Sequence, residues 1–259
     1  MTQDIIAADD GAQERYRAPA LDKGLDILEL LSEQPGGLTR AEIVKAMGRG
    51  PSEIYRMLER LVARDYVSRS PEGDRYALTM KLFVLAHRHP PIRRLVARAF
   101  PLMDGFARQA GQSCHLVALD RDAGIVVAQA SSPGNWEFGI RIGAPIELLR
   151  TGSGQTLLAF MAASTLDELA ERWGDGSGAE ALQALGPDLA RYRAAGHRMA
   201  PSQQLVGVTD ISVPILDLDG HALAVLTCPY IVRVEQQDSI PPDQALAGLK
   251  SVADRLSMR

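Results

Sequence analysis

The segment that most restricts what this chain can fold into runs from Ser52 to Val62. Ile54, Met57, Leu58, Leu61 and Val62 recur at i, i+3, i+4, i+7 and i+8, and Ser52, Tyr55, Arg56, Glu59 and Arg60 fall on or beside the other side. Only an α-helix gathers those five apolar residues into one stripe, so the segment must lie against a core and offer a polar, basic face outward. It opens at Gly48-Arg49-Gly50-Pro51, a turn whose proline suits the first position of a helix. Upstream, Thr39-Arg40-Ala41-Glu42 has the residue types of a capping box, and Ile43, Val44 and Met47 supply the inward face of a short helix. Further upstream, Leu21, Leu25, Leu28 and Leu31 mark a first helix, which Gln34-Pro35-Gly36-Gly37 ends. The pattern is helix, helix, tight turn, helix.

Downstream, Tyr66–Arg69 and Arg75–Leu78 read as short strands around Ser70-Pro71-Glu72-Gly73-Asp74, a hairpin with the position of a wing. A helix pushed into the major groove by its N-terminal end would present Ser52, Tyr55 and Arg56, with Thr39, Arg40, Arg49 and Arg60 nearby and Arg69 and Arg75 flanking the wing tip. Glu72 and Asp74 keep that tip from being uniformly basic. Three helices and a hairpin also occur in protein-binding modules, so the geometry alone leaves that reading open.

Charge narrows the choice. The chain has a net charge of −4, yet residues 40–98 hold 13 Lys and Arg against 6 Asp and Glu, a net +7, leaving −11 for the rest. A basic block in an acidic chain suits a surface facing the dense negative charge of duplex DNA. A solvated charged face remains the alternative. At 259 residues the chain is long enough for two domains. No apolar run is long enough for a membrane span. Met1–Arg17 is polar and acidic, without the apolar stretch of a secretion signal, and reads as a disordered tail. Cys114 and Cys228 lie far apart and fit neither a disulfide framework nor a zinc site. These features favour the reducing cytoplasm.

Pro90-Pro91 closes the wing region, and Ile92, Leu95, Val96, Ala99, Phe100, Met103 and Phe106 form the stripe of a linking helix with a kink expected at Pro101. Arg93, Arg94 and Arg98 make its other face basic. Beyond Gly111 the period becomes strand-like. Cys114–Leu119 and Ile125–Ala130 form one hairpin, and Ile211–Leu216 and His221–Thr227 another. Amphipathic helices are expected over Thr156–Met161, Leu166–Trp173, Leu182–Ala195 and Ala245–Met258, packed on a face of the sheet. A ligand pocket is expected where Arg150-Thr151-Gly152-Ser153-Gly154 enters a helix, because free N–H groups and the positive helix end attract anions. The same glycines also suit ordinary turn chemistry. Trp136 and Phe138 can line that pocket or an interface, and the histidines, His87, His89 and His115 among them, show no metal spacing. No cofactor is indicated.

Four stretches together resemble the isocitrate lyase regulator (IclR) family of bacterial transcription factors: Ala20–Leu28, Ser52–Leu58, Thr151–Ala159, and Gly220–Thr227 after Val213–Asp217. The resemblance covers Ala20 to Met258. It implies an α+β architecture: an N-terminal winged helix-turn-helix plus a C-terminal GAF-like effector-binding domain joined by a linking helix. The expected limits are 1–17 for the tail, 18–89 for the DNA-binding domain, 90–110 for the linker helix and 111–259 for the effector-binding and oligomerisation domain. It further implies a homodimer or homotetramer, a double-stranded DNA operator, and a small hydroxylated or carboxylated catabolite as effector. Effector contacts in such proteins map onto Gly152, Ser153, Val208, Asp210 and Thr227. Where the family typically has a small hydroxyl residue, a lysine, or in some members a cysteine, this chain has Glu53, Gln155 and Asp210; where some members carry an acidic residue it has Ala200. A carboxylate at Asp210 accepts hydrogen bonds from hydroxyls and favours a hydroxylated ligand. Two other readings stay open: an enzyme using Asp210 and Thr227, and an interaction scaffold that never meets DNA.

Overall fold

The computed structural model describes residues 18–88, 90–133, 138–174, 176–232 and 240–258; the leading segment 1–17 read as a tail, and Trp136, lie outside them. The chain divides into two compact units at residues 89 and 90. Among the described residues no helix is long and apolar enough to cross a membrane.

In the first unit, α1 (Pro19–Ser32) is followed by β1 (Leu38–Thr39), α2 (Arg40–Met47), α3 (Pro51–Ala63), β2 (Val67–Arg69), β3 (Arg75–Leu78) and α4 (Lys81–Arg88). Local chemistry sets these boundaries. Thr39 Oγ1 accepts from Glu42 N–H while Glu42 accepts from Thr39 N–H at 2.8 Å, the reciprocal capping box. Gly48 ends α2 in the left-handed conformation at φ 60°, and Pro51 starts α3. The core is Ile27, Leu31, Ile43, Ile54, Leu58, Val67 and Tyr76, so α3 buries the expected stripe. For α1 the expected face needs correction. Leu21 is 61% and Leu25 47% exposed, because the helix meets the core through its second half, at Ile27 and Leu31.

The wing is a three-stranded antiparallel sheet ordered β1-β3-β2, with Leu38 opposite Tyr76. Neither β1 nor α4 is marked by periodicity. Two residues cannot show alternation, and the consecutive apolar run Leu82–Leu85 is exposed throughout, without a one-sided stripe.

The second unit begins with α5 (Pro90–Ala110), a single helix that holds Pro101, the position expected to kink it, in its interior. Ala99, Met103, Phe106, Ala107 and Ala110 are buried, whereas Phe100, expected in the same stripe, is half exposed at the stripe's edge. Next come β4 (Cys114–Asp120), β5 (Ala123–Ala130), β6 (Pro145–Ile146), α6 (Gly152–Ala159), α7 (Ala163–Trp173), α8 (Ser177–Ala195), β7 (Arg198–Pro201), β8 (Val208–Leu216), β9 (Ala222–Ile231) and α9 (Pro242–Leu256). The six strands make one antiparallel sheet ordered β6-β5-β4-β9-β8-β7.

Helices cover both faces, not one. α5 and α9 pack on the first through Met103, Phe106, Leu116, Ile211, Leu226 and Leu249. α6, α7 and α8 pack on the second through Val117, Val126, Leu157, Leu169, Tyr192 and Val225. Alternation sorts each central strand between the two layers: on β9, Ala224, Leu226 and Cys228 point to the first face, and Val225 to the second. With both faces dry, the central strands read as nearly continuous apolar runs. Cys114 and Cys228 are free and buried on the first face, where burial pushes the Cys114 thiol up to about 12.

Candidate functional site

In the first unit the exposed surface of α3 carries Ser52, Tyr55, Arg56 and Arg60, with Arg49 in the preceding turn. Arg49, Arg56 and Arg60 make no ion pair among the described residues. Arg40, at the start of α2, lies over the Tyr55 ring at 5.7 Å. The starts of α2 and α3 and the wing enclose a cavity of about 520 Å³ lined by Thr39, Arg40, Val44, Pro51, Arg69, Asp74 and Tyr76.

The two wing arginines are partly engaged within the unit. Arg69 Nε donates to Gly73 O at 2.7 Å, and Arg75 Nη1 donates to Gly37 O at 3.0 Å, tying the wing to the loop before β1. Glu53 pairs with Lys23 of α1 at 3.1 Å, so its carboxylate braces two helices. The surface therefore offers guanidinium groups, a hydroxyl and a phenol around a concavity, the donor set that phosphate and base-edge contacts require.

In the second unit, the second face of the sheet carries a buried polar row. His115 on β4 is in register with Thr227 on β9, Thr227 with Ser212 on β8, and Ser212 with Arg198 on β7. All four are at most 2% exposed. Above this row sits the start of α6. Ser153 Oγ lies 2.8 Å from Thr227 Oγ1 and 3.1 Å from His115 Nε2, and Thr227 Oγ1 donates to Ser212 Oγ at 2.9 Å. Burial pulls the His115 imidazole down to about 4, so it is neutral at pH 7.

Two positions along β8 from Ser212, Asp210 approaches the helix start so closely that a Cβ on Gly152 would lie 2.7 Å from Asp210 Cβ. Burial raises the Asp210 pKa, while hydrogen bonds from Ser202 and from Gly152 N–H and the nearby Arg198 guanidinium oppose the rise. Arg198 Nη1 is 3.9 Å from Asp210 Oδ2, within coulombic reach but beyond hydrogen-bonding distance. Arg198 Nε donates to Gln155 Oε1 at 2.9 Å, and the guanidinium lies over Tyr192 at 5.6 Å.

Two of the amides at this helix start are already engaged within the unit. Thr151 Oγ1 caps Gly154 N–H at 2.9 Å and Asp210 takes Gly152 N–H. Of the residues singled out from the sequence, Gly152, Ser153, Asp210 and Thr227 converge here. Val208 is buried two residues before Asp210 on the same side of β8. Phe138 is half-buried. Arg198, Gln155 and Ser212 escaped selection as site residues. Arg198 in Gly196-His197-Arg198-Met199 belongs to no motif, and only the β7–β8 pairing places it beside Asp210. Among the described residues, Asp217, Asp219 and His221 come within 4.8 Å of one another at the β8–β9 turn, exposed or half-buried. Asp217 Oδ1 is already occupied there by the N–H groups of Asp219 and His221.

Comparison with known proteins decides the family. Residues 92–258 match the model of the bacterial transcriptional regulator IclR C-terminal domain, and residues 20–71 match the IclR helix-turn-helix domain. The chain belongs to the IclR family of bacterial transcriptional regulators. The HTH-type transcriptional regulator BhcR of Paracoccus denitrificans (strain Pd 1222) is 31% identical over 83% of this chain and 78% of its own length. The HTH-type transcriptional regulator XynR of Escherichia coli (strain K12) is 26% identical over 80% and 84%. An IclR homolog from Microbacterium hydrocarbonoxydans, solved in complex with 4-hydroxybenzoate, has the same fold at a TM-score of 0.72, with 21% identity over 92% of this chain and 97% of that one. An IclR regulator from Alicyclobacillus acidocaldarius gives a TM-score of 0.69 at 23% identity, covering 93% and 98%. As an IclR-family member the chain is a helix-turn-helix transcriptional regulator and not an enzyme.

Proposed function

We propose that this IclR-family regulator binds a palindromic operator through residues 18–89 and loses or gains operator affinity when a small organic metabolite occupies the second unit. The reading divides the chain into a DNA-binding domain at 18–89, a linker helix at 90–110 and an effector-binding, oligomerising domain at 111–259. On the DNA side, Ser52, Tyr55 and Arg56 enter the major groove, Arg60 and Arg49 flank them, and Thr39, Arg40, Arg69 and Arg75 hold the backbone on either side. On the effector side, Gly152, Ser153, Val208, Asp210 and Thr227 form the contact set.

The observation that carries the effector assignment is the convergence of Asp210, Ser153, Thr227 and Arg198 at one buried helix start. Interiors rarely collect charged and hydroxyl groups on this scale without a use. The 4-hydroxybenzoate complex of the Microbacterium homolog supports a small-acid ligand for the same fold. A cytoplasmic homodimer or homotetramer is the form proposed to act on DNA, since two-fold dimers set recognition helices about 34 Å apart, one turn of the duplex. An effector that binds one arrangement of the domains better than another shifts the operator equilibrium by that difference.

A gel-shift titration against the DNA upstream of its own gene, at two salt concentrations and with random competitor, tests the reading. Specific shifts that weaken with salt and respond to a metabolite support it; no preference over random DNA by the folded protein overturns it.

A further inference from the structure

We propose that Arg198 sets the charge of the effector: its unpaired Nη1, buried beside Asp210, takes the carboxylate of a small hydroxy acid whose hydroxyl donates to Asp210. The proposal rests on placing the effector at the start of α6.

Arg198 is the anomaly of the second unit. Its side chain is 2% exposed, and Nη1 of its guanidinium has no hydrogen-bond acceptor among the described residues. Nε is satisfied by Gln155 and one face of the guanidinium lies over the Tyr192 ring, so the group is held rigidly while one donor edge remains unmatched. Asp210 does not close that edge. Its carboxylate is engaged by Gly152 N–H and the Ser202 hydroxyl and stops 3.9 Å short. A rigid, buried, half-matched guanidinium calls for an acceptor from outside the chain.

At the helix start the Gly152 and Gly154 amides are taken by Asp210 and Thr151, and the Asp210 carboxylate repels a second negative charge there. Anionic and neutral polar ends of a ligand are therefore sorted in opposite directions: the acid toward Arg198 on β7, and a hydroxyl donor toward Asp210 on β8. Between those strands Asp210 faces Ala200, whose methyl group offers no competing charge.

The test uses the full-length protein and a panel of two- to seven-carbon hydroxy acids, each paired with its uncharged amide, glycolate and 4-hydroxybenzoate included. Thermal-shift and calorimetric titrations are expected to show at least one acid bound in preference to its amide. Arg198→Gln is expected to abolish that preference with a loss on the order of 10- to 100-fold in acid affinity while the amide's affinity stays as it was. Arg198→Lys, which keeps the charge, should retain part of the preference. Asp210→Asn, which removes the like charge, should raise acid affinity. Ligand-free melts of each variant separate lost binding from lost folding. An acid preference that survives in folded Arg198→Gln, or no acid preferred by the wild type, overturns the proposal. A preference that survives Arg198→Gln while Ser153→Val weakens acid and amide alike leaves the site standing and removes only the role of Arg198; binding indifferent to Ser153→Val and Asp210→Asn removes the site as well.

Discussion

Replacing Gly154 by alanine tests the geometry on which the proposed effector site stands. A Cβ at this position would lie 2.5 Å from the carbonyl oxygens of Glu147 and Leu148 and 2.5 Å from Leu148 Cα. All three are backbone atoms, so no side-chain rotation relieves the clash; the turn before α6 or the helix itself must move. That movement also strains the cap, because Thr151 Oγ1 accepts from Gly154 N–H while donating to Glu147 O at 2.7 Å. Overpacking a close-packed site costs about 1–3 kcal/mol, and three simultaneous backbone contacts put this one at the upper end. Loss of the cap adds about 1 kcal/mol, and the better helix propensity of alanine offsets about the same amount. The net is a destabilisation of about 3 kcal/mol, which in a unit of this size lowers Tm by roughly 6–12 °C. Gly105→Ala is the control. Gly105 lies inside α5 with nothing within 4 Å of its added Cβ, so the same substitution there should stabilise by about 0.5–1 kcal/mol. Scanning calorimetry of the full chain reads both. A Gly154→Ala protein that melts with the wild type would refute the packing of α6 against the 147–148 backbone, and with it the approach of Ser153 to Thr227.

Other perturbations separate the two units. Arg56→Ala, on the exposed face of α3, is expected to weaken operator binding by about 1–3 kcal/mol in fluorescence anisotropy while metabolite binding stays unchanged; loss of both would point to misfolding. Thr39→Ala removes half of the capping box and should destabilise the first unit by about 1 kcal/mol, seen as faster amide exchange in α2, whereas unchanged protection there would dismiss the cap as a stabiliser. Because burial lowers His115 from 6.5 to about 4, the folded protein keeps it neutral in a range where the unfolded chain protonates it. Its contribution is complete above pH 6.5 and is lost as pH falls toward 4, on the order of 3 kcal/mol. His115→Gln should flatten that part of the acid limb in urea melts taken across the window; an unaltered slope would show that His115 does not carry it.

The outcome for the two units follows from the range of the interactions that build them. In the first, a capping box, a left-handed glycine, a proline at a helix start and a hairpin tip each act within a few residues, so helix-turn-helix and wing are legible from residue order alone. Legibility fails where an element is too short for a period, as at β1, or where tertiary contact chooses among apolar residues on one helix, as when α1 buries Ile27 and leaves Leu21 outside. In the second unit the four strands of the two hairpins are readable, β6 and β7 are not, and burial on both faces erases most of the alternation that would say which layer each residue joins. Asp210, Thr227 and Ser153 stand out through the family resemblance; Arg198 does not, because a lone arginine after a helix end has no local signature. Pairing β7 to β8, β8 to β9 and β9 to β4 carries Arg198, Ser212, Thr227 and His115, spread over more than 100 residues of chain, into one buried row. Local propensity and charge therefore determined the DNA-facing architecture in the sequence itself. The composition of the proposed effector site was decided only by strand register, a long-range choice made by the core as a whole.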